Sequence, residues 1–277
     1  RELSNPPKSP YAVPLASWIH HSDPGVRGGY WTTQLSTASL TRSDGPDSYR
    51  ASASTAWTLP YVAPSGEHYT LSASLRGDAY QVRNYEMLDG DTFTGSTGRI
   101  VPEVSMRWSW PFSSPGQYTT QVIEPVIVGA LSPNGGNSHK IPNEDSRDLD
   151  FDDTQLLSTN HFVGFDRVET GPRATYGVNW SAYVNGTPSK FSVFGGQTLR
   201  ANEDSVFPDG SGFREGFSDF VGRVRYDYGS LFSTFYRFRI DPDGFNVVSH
   251  DVTALGGPQA LRLGISYLKQ EDRKSVV

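Results

Sequence analysis

"VSMRWSWPF", Val104–Phe112, alternates up to Pro111. Val104, Met106, Trp108, Trp110 and Phe112 share one face; Ser105, Arg107 and Ser109 share the other. Successive side chains of a strand point to opposite faces. The stretch therefore reads as a β-strand with one apolar and one charged or hydroxylated side. What each side touches decides the fold.

The pattern recurs along the chain. In Tyr69–Ala79 the odd positions (Tyr69, Leu71, Ala73, Leu75, Gly77, Ala79) are apolar or small, and the even ones (Thr70, Ser72, Ser74, Arg76, Asp78) are polar. In Arg173–Ala182, Ala174, Tyr176, Val178, Trp180 and Ala182 oppose Arg173, Thr175, Asn179 and Ser181. In Asp219–Tyr228, Phe220, Val224, Tyr226 and Tyr228 oppose Asp219, Arg223, Arg225 and Asp227. No helical periodicity is sustained, and about twelve strands are marked by their alternation. The longest exceed the roughly 5–6 residues usual in soluble sheets and reach the roughly 9–11 that cross a membrane.

The polar faces exclude a soluble sandwich. Arg107, Arg223, Arg225, Arg237 and Arg239 all point inward. Such groups do not enter a dry core unpaired, whereas they line a wet lumen readily. A large barrel leaves that room.

Turns supply the register. Asn185-Gly186 is a strong two-residue hairpin signal. It predicts Trp180 opposite Phe191, Val178 opposite Val193, Tyr176 opposite Gly195, and Ser181 opposite Lys190. A one-residue slip would exchange the faces. For the arginines of the next hairpin to share a face, its loop must hold an odd number of residues, such as Gly229-Ser230-Leu231. From Tyr69 onward the connections read long (84–98), short (113–116), very long (132–172), short (185–186), long (201–216) and short (229–231). One end of an up-and-down sheet thus carries tight turns and the other long loops, as in outer-membrane barrels. Trp108, Trp110, Phe112, Trp180, Phe191, Tyr226, Tyr228 and Phe232 gather towards the short-turn end, as an interfacial girdle would.

Composition agrees. Only 36% of the 277 residues are hydrophobic, yet 13% are aromatic and 28 are Gly. Disordered chains are poor in aromatics, so the balance fits strands with one apolar and one polar side. A net charge of −6 argues against a nucleic-acid partner. Cysteine is absent, which excludes a disulfide framework and thiolate chemistry. No apolar run is long enough for a transmembrane helix.

The middle of the chain breaks the alternation. "IPNEDSRDLDFDDTQLLSTNHFVGFDRVETG", Ile141–Gly171, is acidic and irregular; connections beyond about 12–15 residues are uncommon unless functional or disordered. The box Ile141, Pro142, Asn143, Glu144, Asp145, Ser146 is followed by an acidic-hydrophobic segment and by "NHFVGFDR", which holds Asn160, Phe162, Gly164, Asp166 and Arg167. These boxes, with "QVIEPVIVGA" (Gln121–Ala130) before them, resemble the mid-barrel signature of the LptD (OstA/Imp) family of lipopolysaccharide-assembly proteins. The specific resemblance spans about residues 121–180. His161 stands where the family usually has Arg, which weakens a phosphate-contact role there.

The resemblance implies a very large barrel in the bacterial outer membrane, plugged by an LptE-like lipoprotein and surrounded by outer-membrane lipids. It implies lipopolysaccharide as the substrate, received from an LptA-like periplasmic bridge through an N-terminal domain missing from these residues. It also implies lateral release between first and last strands, placing a gate outside this segment.

The expected architecture is therefore all-β: an antiparallel up-and-down transmembrane β-barrel over residues 1–271, forming about twelve strands of a larger barrel. The loop at 132–172 is expected to fold back into the lumen, restricting the pore and contacting the plug, with Asp166-Arg167 as an ion pair or hydrogen-bond hub. Asp152 or Asp153 is expected to cap a short helical turn through Leu157. Asp272–Val277 breaks the strand pattern and matches an in-frame reading of a common sequencing adapter; it is read as a non-native tail.

No catalysis or cofactor is expected. The six His residues form no motif with a nucleophile, and neither a G-x-S-x-G elbow nor a phosphate loop occurs. Glu144, Asp145, Asp148, Asp150, Asp152 and Asp153 lack the Ca²⁺-loop spacing, so they are read as solvated or Arg-paired rather than as a metal site. The inward arginines read as a structural network with Asp219, Asp227 and Asp241, with anionic lipid groups as the other candidate partner. A porin-like or receptor-type passive barrel is the alternative function.

Overall fold

A computed structural model describes residues 10–87, 90–146, 151–201, 206–207, 210–213, 216–258 and 260–270. Asp148, Leu149, Asp150 and the tail Asp272–Val277 lie outside the described residues.

Thirteen strands form one antiparallel sheet. They are β1 (Tyr11–His21), β2 (Tyr30–Thr41), β3 (Asp47–Val62), β4 (His68–Glu86), β5 (Thr92–Ser109), β6 (Phe112–Pro115), β7 (Thr119–Leu131), β8 (Arg173–Val184), β9 (Ser189–Arg200), β10 (Phe220–Tyr228), β11 (Phe232–Ile240), β12 (Val247–Gly256) and β13 (Leu263–Gln270). Each strand pairs with its sequence neighbours, except that β6 pairs only with β7, which also pairs with β5. β5 and β6 thus act as one long strand interrupted at Trp110-Pro111. No helix occurs among the described residues.

The two faces are buried the wrong way round for a water-soluble protein. Val104, Met106, Leu71, Leu75, Ile123, Ile127 and Val178 are exposed, with Val104 at 50% and Met106 at 48%. On the opposite face Arg50, Asp78, Arg99, Arg173, Thr175 and Arg239 are buried, Asp78 at 5% and Arg99 at 8%. An exposed apolar belt of this extent on a monomer marks an apolar partner phase, here the hydrocarbon of a membrane, with the polar face lining a lumen. The all-β, up-and-down barrel sheet read from the alternation is the observed fold.

Two local expectations are corrected. The Asn185-Gly186 hairpin does not close over two residues. Trp180 pairs with Val193, Ala182 with Phe191, Ser181 with Ser192 and Val178 with Gly195, so residues 185–188 form the loop. The expected register would have drawn Pro188 into the ladder opposite Tyr183, and proline has no N–H to donate. Instead Thr187 closes the turn, its N–H bonding Val184 O at 3.2 Å. The slip is an even number of residues, so the faces stay as read. The expected long loop at 84–98 is mostly strand: β4 runs to Glu86 and β5 starts at Thr92, with a register irregularity between Val82 and Tyr85. At 19 and 18 residues these strands outrun the roughly 9–11 needed to cross. Beyond the hydrocarbon both faces meet water and alternation carries no signal.

The odd-length turn holds: Tyr228 pairs with Phe232 across residues 229–231, aligning Arg223 with Arg237. The long-loop end carries 132–172 and the connection after β9, which runs to residue 219. Apolar packing on the lumen side is supplied by these two loops. Phe151, Leu156, Phe162, Phe207 and Phe213 cluster with Phe194 and Val221 of the wall, and Ile141 packs on Tyr80 and Val82.

Candidate functional site

The loop 132–172 leaves β7, crosses the lumen face and returns to β8. Its two sequence boxes interlock. Asp145 Oδ1 accepts the N–H groups of Phe165 and Asp166, both at 3.0 Å. In return Asp166 Oδ2 accepts the N–H groups of Glu144 at 2.8 Å and Asp145 at 3.2 Å. Asn143 and Ser146 close the first box on itself, Asn143 Oδ1 taking the Ser146 N–H and Asn143 Nδ2 donating to Ser146 O. Gly164 is required by the approach: a Cβ there would lie 2.2 Å from Asp145 Oδ1 and 2.3 Å from Asp145 O. Arg167 donates to Ile141 O at 3.0 Å, and its N–H to Ser146 Oγ at 3.3 Å. Ile141 and Pro142 are fully buried.

Strand cations clamp this interlocked unit to the wall. Arg50 Nη1 of β3 donates to Asp145 Oδ2 and to Asp166 Oδ1, each at 2.7 Å. Tyr80 Oη of β4 adds a bond to Asp166 Oδ1 at 3.2 Å. Arg99 of β5 bonds the carbonyls of Phe165 and Asp166 and holds Asp78 at 2.6 Å through Nε. Arg76 Nη2 reaches Phe165 O at 2.6 Å, and the Phe165 ring lies under both Arg50 and Arg76. Arg42 takes Glu144 in a bidentate pair, at 3.1 and 2.6 Å. Planar guanidinium groups suit this work because they hold carboxylates and carbonyls through several fixed donors at once.

A second clamp surrounds Glu169. His161 Nδ1 lies 2.5 Å from Glu169 Oε2, Arg200 Nη2 2.5 Å from Oε1, and Arg173 Nε 3.5 Å from Oε1. Arg173 also bonds Glu103 of β5 and Thr159 O. Asn160 Oδ1 accepts the Glu169 N–H at 3.0 Å. Phe162 stacks on Phe207, 4.7 Å between centroids, and His161 meets Phe213 at 4.4 Å, so the loop after β9 closes over the first loop. A third contact joins Asp153 to Arg223 at 2.6 Å and to Arg237 at 3.0 Å. Asp152 Oδ1 caps the turn through Leu157, accepting the Thr154 N–H at 2.8 Å.

The loop carboxyls respond to these surroundings. Burial pushes Asp145 up, but the N–H groups of Asp166 and Phe165 together with Arg50 outweigh it and hold the group at about 2. Burial likewise opposes ionisation of Glu169, and His161, Arg200 and Arg173 reverse the balance to about 2. Asp166 moves the other way, raised by burial and by the charge of Asp145. Asp153 is raised by burial, against Arg223 and Arg237.

The structure therefore brings Ile141, Pro142, Asn143, Asp145, Ser146, Gly164, Asp166 and Arg167 into one unit, with Asn160 and Phe162 beside it. Asp166 is a hub, but its ion pair is with Arg50 and not with Arg167. Of the inward arginines, Arg223 and Arg237 reach the loop, and Arg239 holds Asp219 at 3.2 Å. Arg225 pairs along its own strand with Asp227. Arg107 lines a lumen cavity of about 180 Å³ with Glu124, Asp153, Leu157, Asn179 and Arg223. Arg42, Arg50, Arg76, Arg99, Tyr80, Glu169, Arg173 and Arg200 are clamp residues that were not among the expected site residues. Their signal was present: apart from Arg42 and Glu169, which lie in loops, they are polar groups on the lumen-facing side of strands, near the long-loop end.

The arrangement is a lock. Every charged group at its centre is occupied by another group of the chain, so its chemistry is cohesion between loop and wall. A family model described as "LptD: LPS transport system D" matches residues 1–275. No curated protein matches the chain.

Proposed function

Because the chain belongs to the LptD family, whose members act in lipopolysaccharide transport at the outer membrane, we propose that it is a translocon component placing lipopolysaccharide in the outer leaflet. It does so as a conduit, without catalysis. The observation that supports this reading is the pair of loops seated across the lumen and clamped by Arg42, Arg50, Arg76 and Arg99. A pore built for passive solute exchange keeps its lumen open to water. Here the 132–172 loop crosses that lumen and is fastened at three places. The loops deny the substrate a straight exit through the long-loop end and present a folded surface to an LptE-like plug lipoprotein. An LptA-like bridge delivers the lipid from the periplasm.

The test pairs two measurements on the protein carrying Arg50→Ala and Arg99→Ala. In planar bilayers the parent is expected to conduct little and the variant to conduct more. In cells depleted of their own transporter, the parent is expected to restore surface lipopolysaccharide and to co-purify a lipoprotein. Large, solute-selective conductance by the parent, without lipoprotein capture, would instead identify a porin-like passive barrel.

A further inference from the structure

The lipid-facing side of the short-turn end carries a carboxylate, Glu67, that pairs with no cation among the described residues. Glu67 sits in the turn 63–67 between β3 and β4, which is fixed by Ala63 N–H to Glu67 O at 2.8 Å and Gly66 N–H to Ala63 O at 2.9 Å. Its Oε2 accepts from Ser65 Oγ at 2.7 Å. Its Oε1 accepts from Tyr69 Oη at 3.1 Å and from Trp108 Nε1 at 3.3 Å. Tyr69 and Trp108 are cross-strand partners on the face that carries Leu71, Met106 and Val104. Tyr61 stands beside them, 6.2 Å from the Tyr69 ring, and is 56% exposed. Among the described residues no Lys, Arg or His forms an ion pair with Glu67. The bonds from Ser65 and Trp108 hold its carboxyl below the usual carboxylate range.

A negative charge at a membrane–water boundary repels anionic lipid. Aromatic rings at that depth are ordinary anchors, and an anchor needs no acid. A carboxylate is what recognises an ammonium ion, by accepting its N–H in a charge-assisted bond; Tyr69 and Trp108 meet Glu67 through their O–H and N–H and hold it in place. A carboxylate offers roughly four lone-pair sites, and three donors from the chain use three of them here. The remaining one is on Oε2, and the three bonds fix its direction. We propose that Glu67, held in place by Ser65, Tyr69 and Trp108, binds the primary ammonium headgroup of phosphatidylethanolamine in the leaflet facing the short-turn end. The inference is independent of what the lumen carries and needs only the membrane-embedded sheet.

The test is native mass spectrometry of the 277-residue chain folded in detergent micelles and titrated with phosphatidylethanolamine, its N-methylated series up to phosphatidylcholine, phosphatidylglycerol and free ethanolamine. Phosphatidylethanolamine is expected to bind in preference to phosphatidylglycerol, with affinity falling stepwise as N–H donors are methylated away. Glu67→Gln keeps an acceptor for Tyr69 and Trp108 but not the charge, and is expected to lose about five-fold of that preference, the upper size of an exposed ion pair. Glu124→Gln, in the lumen, is expected to lose none. Equal binding of phosphatidylethanolamine and phosphatidylglycerol by the parent, or an unchanged preference in a folded Glu67→Gln, overturns the proposal. Free ethanolamine binding as tightly as the lipid would also overturn it, by making the site one for a soluble amine. The methylation series on the parent decides the matter alone if the variant does not fold.

Discussion

Asp145 and Asp166 share one guanidinium nitrogen: Arg50 Nη1 lies 2.7 Å from a carboxylate oxygen of each. Two acids that would repel one another, Asp166 buried and Asp145 at the surface, are joined through a single strand residue, and each also accepts the other's backbone N–H or that of its neighbour. The loop's fold and its attachment to the wall are therefore one structure.

Removing that cation leaves the buried Asp166 without its ionic partner, while Asp145 stays open to water. Arg50→Ala is expected to weaken loop docking by about 3–5 kcal/mol, the cost of orphaning a buried charge, while the strands persist. Limited proteolysis should then cut within 132–172 in the variant and not in the parent, with unchanged β-sheet circular dichroism. Arg50→Lys is expected to fall between, since an ammonium is a point charge without the planar fork.

Gly164→Ala probes the interlock without touching a charge. The added methyl would meet Asp145 at 2.2 Å, and the two boxes must move apart. Overpacking of this kind costs about 1–3 kcal/mol. Single-channel recordings should show more frequent open events than the parent, and equal closed times would contradict the assignment.

Acid should release the second clamp. Glu169 titrates at about 2 when docked, against 4.5 ordinarily, and Asp145 at about 2 against 3.8. Both are depressed, so the docked loop binds fewer protons than the free one. Their stabilisation is complete above about pH 4.5 and declines as pH falls towards 2. Asp153 and Asp166 are shifted upward and partly offset this decline. Amide protection across the loop, relative to the intrinsic exchange rate at each pH, should fall over that window, and Glu169→Gln should flatten the fall.

Phe213 tests whether the two loops are one body. It lies 3.7 Å from the Phe151 ring and under the Arg200 guanidinium at 4.6 Å, and is fully buried. Phe213→Ala is expected to cost about 3–5 kcal/mol. Exchange should increase around Phe151 and Phe162 in the first loop as well as near residue 213; a change confined to 206–213 would show the loops to be independent.

Face assignment was legible from the sequence because hydrocarbon and lumen water impose opposite demands on alternate residues. Trp108 and Arg107 could be placed from their neighbours alone. Register was less legible: the turn rule at Asn185-Gly186 was overridden by Pro188, whose missing N–H acts outside the turn. The β4–β5 extension was hidden because Thr92–Gly98 stands where both faces are wet. In the site, Asp145 and Asp166 were marked by their boxes, and Glu169 was not. Their strand partners could be placed on the lumen face but not matched to them, because Arg50 lies 116 positions from Asp166; Arg42, in a loop, lies 102 from Glu144. No local pattern joins residues so far apart; only the register of β2 to β5 does.

That separation sets an order of assembly. The seat for the 132–172 segment does not exist until β3, β4 and β5 have zipped together, since Arg50, Tyr80 and Arg99 come from three different strands. Contacts this distant in sequence carry the largest closure cost and form late. A nascent cylinder of this kind passes through a hollow stage, and its stopper goes in last.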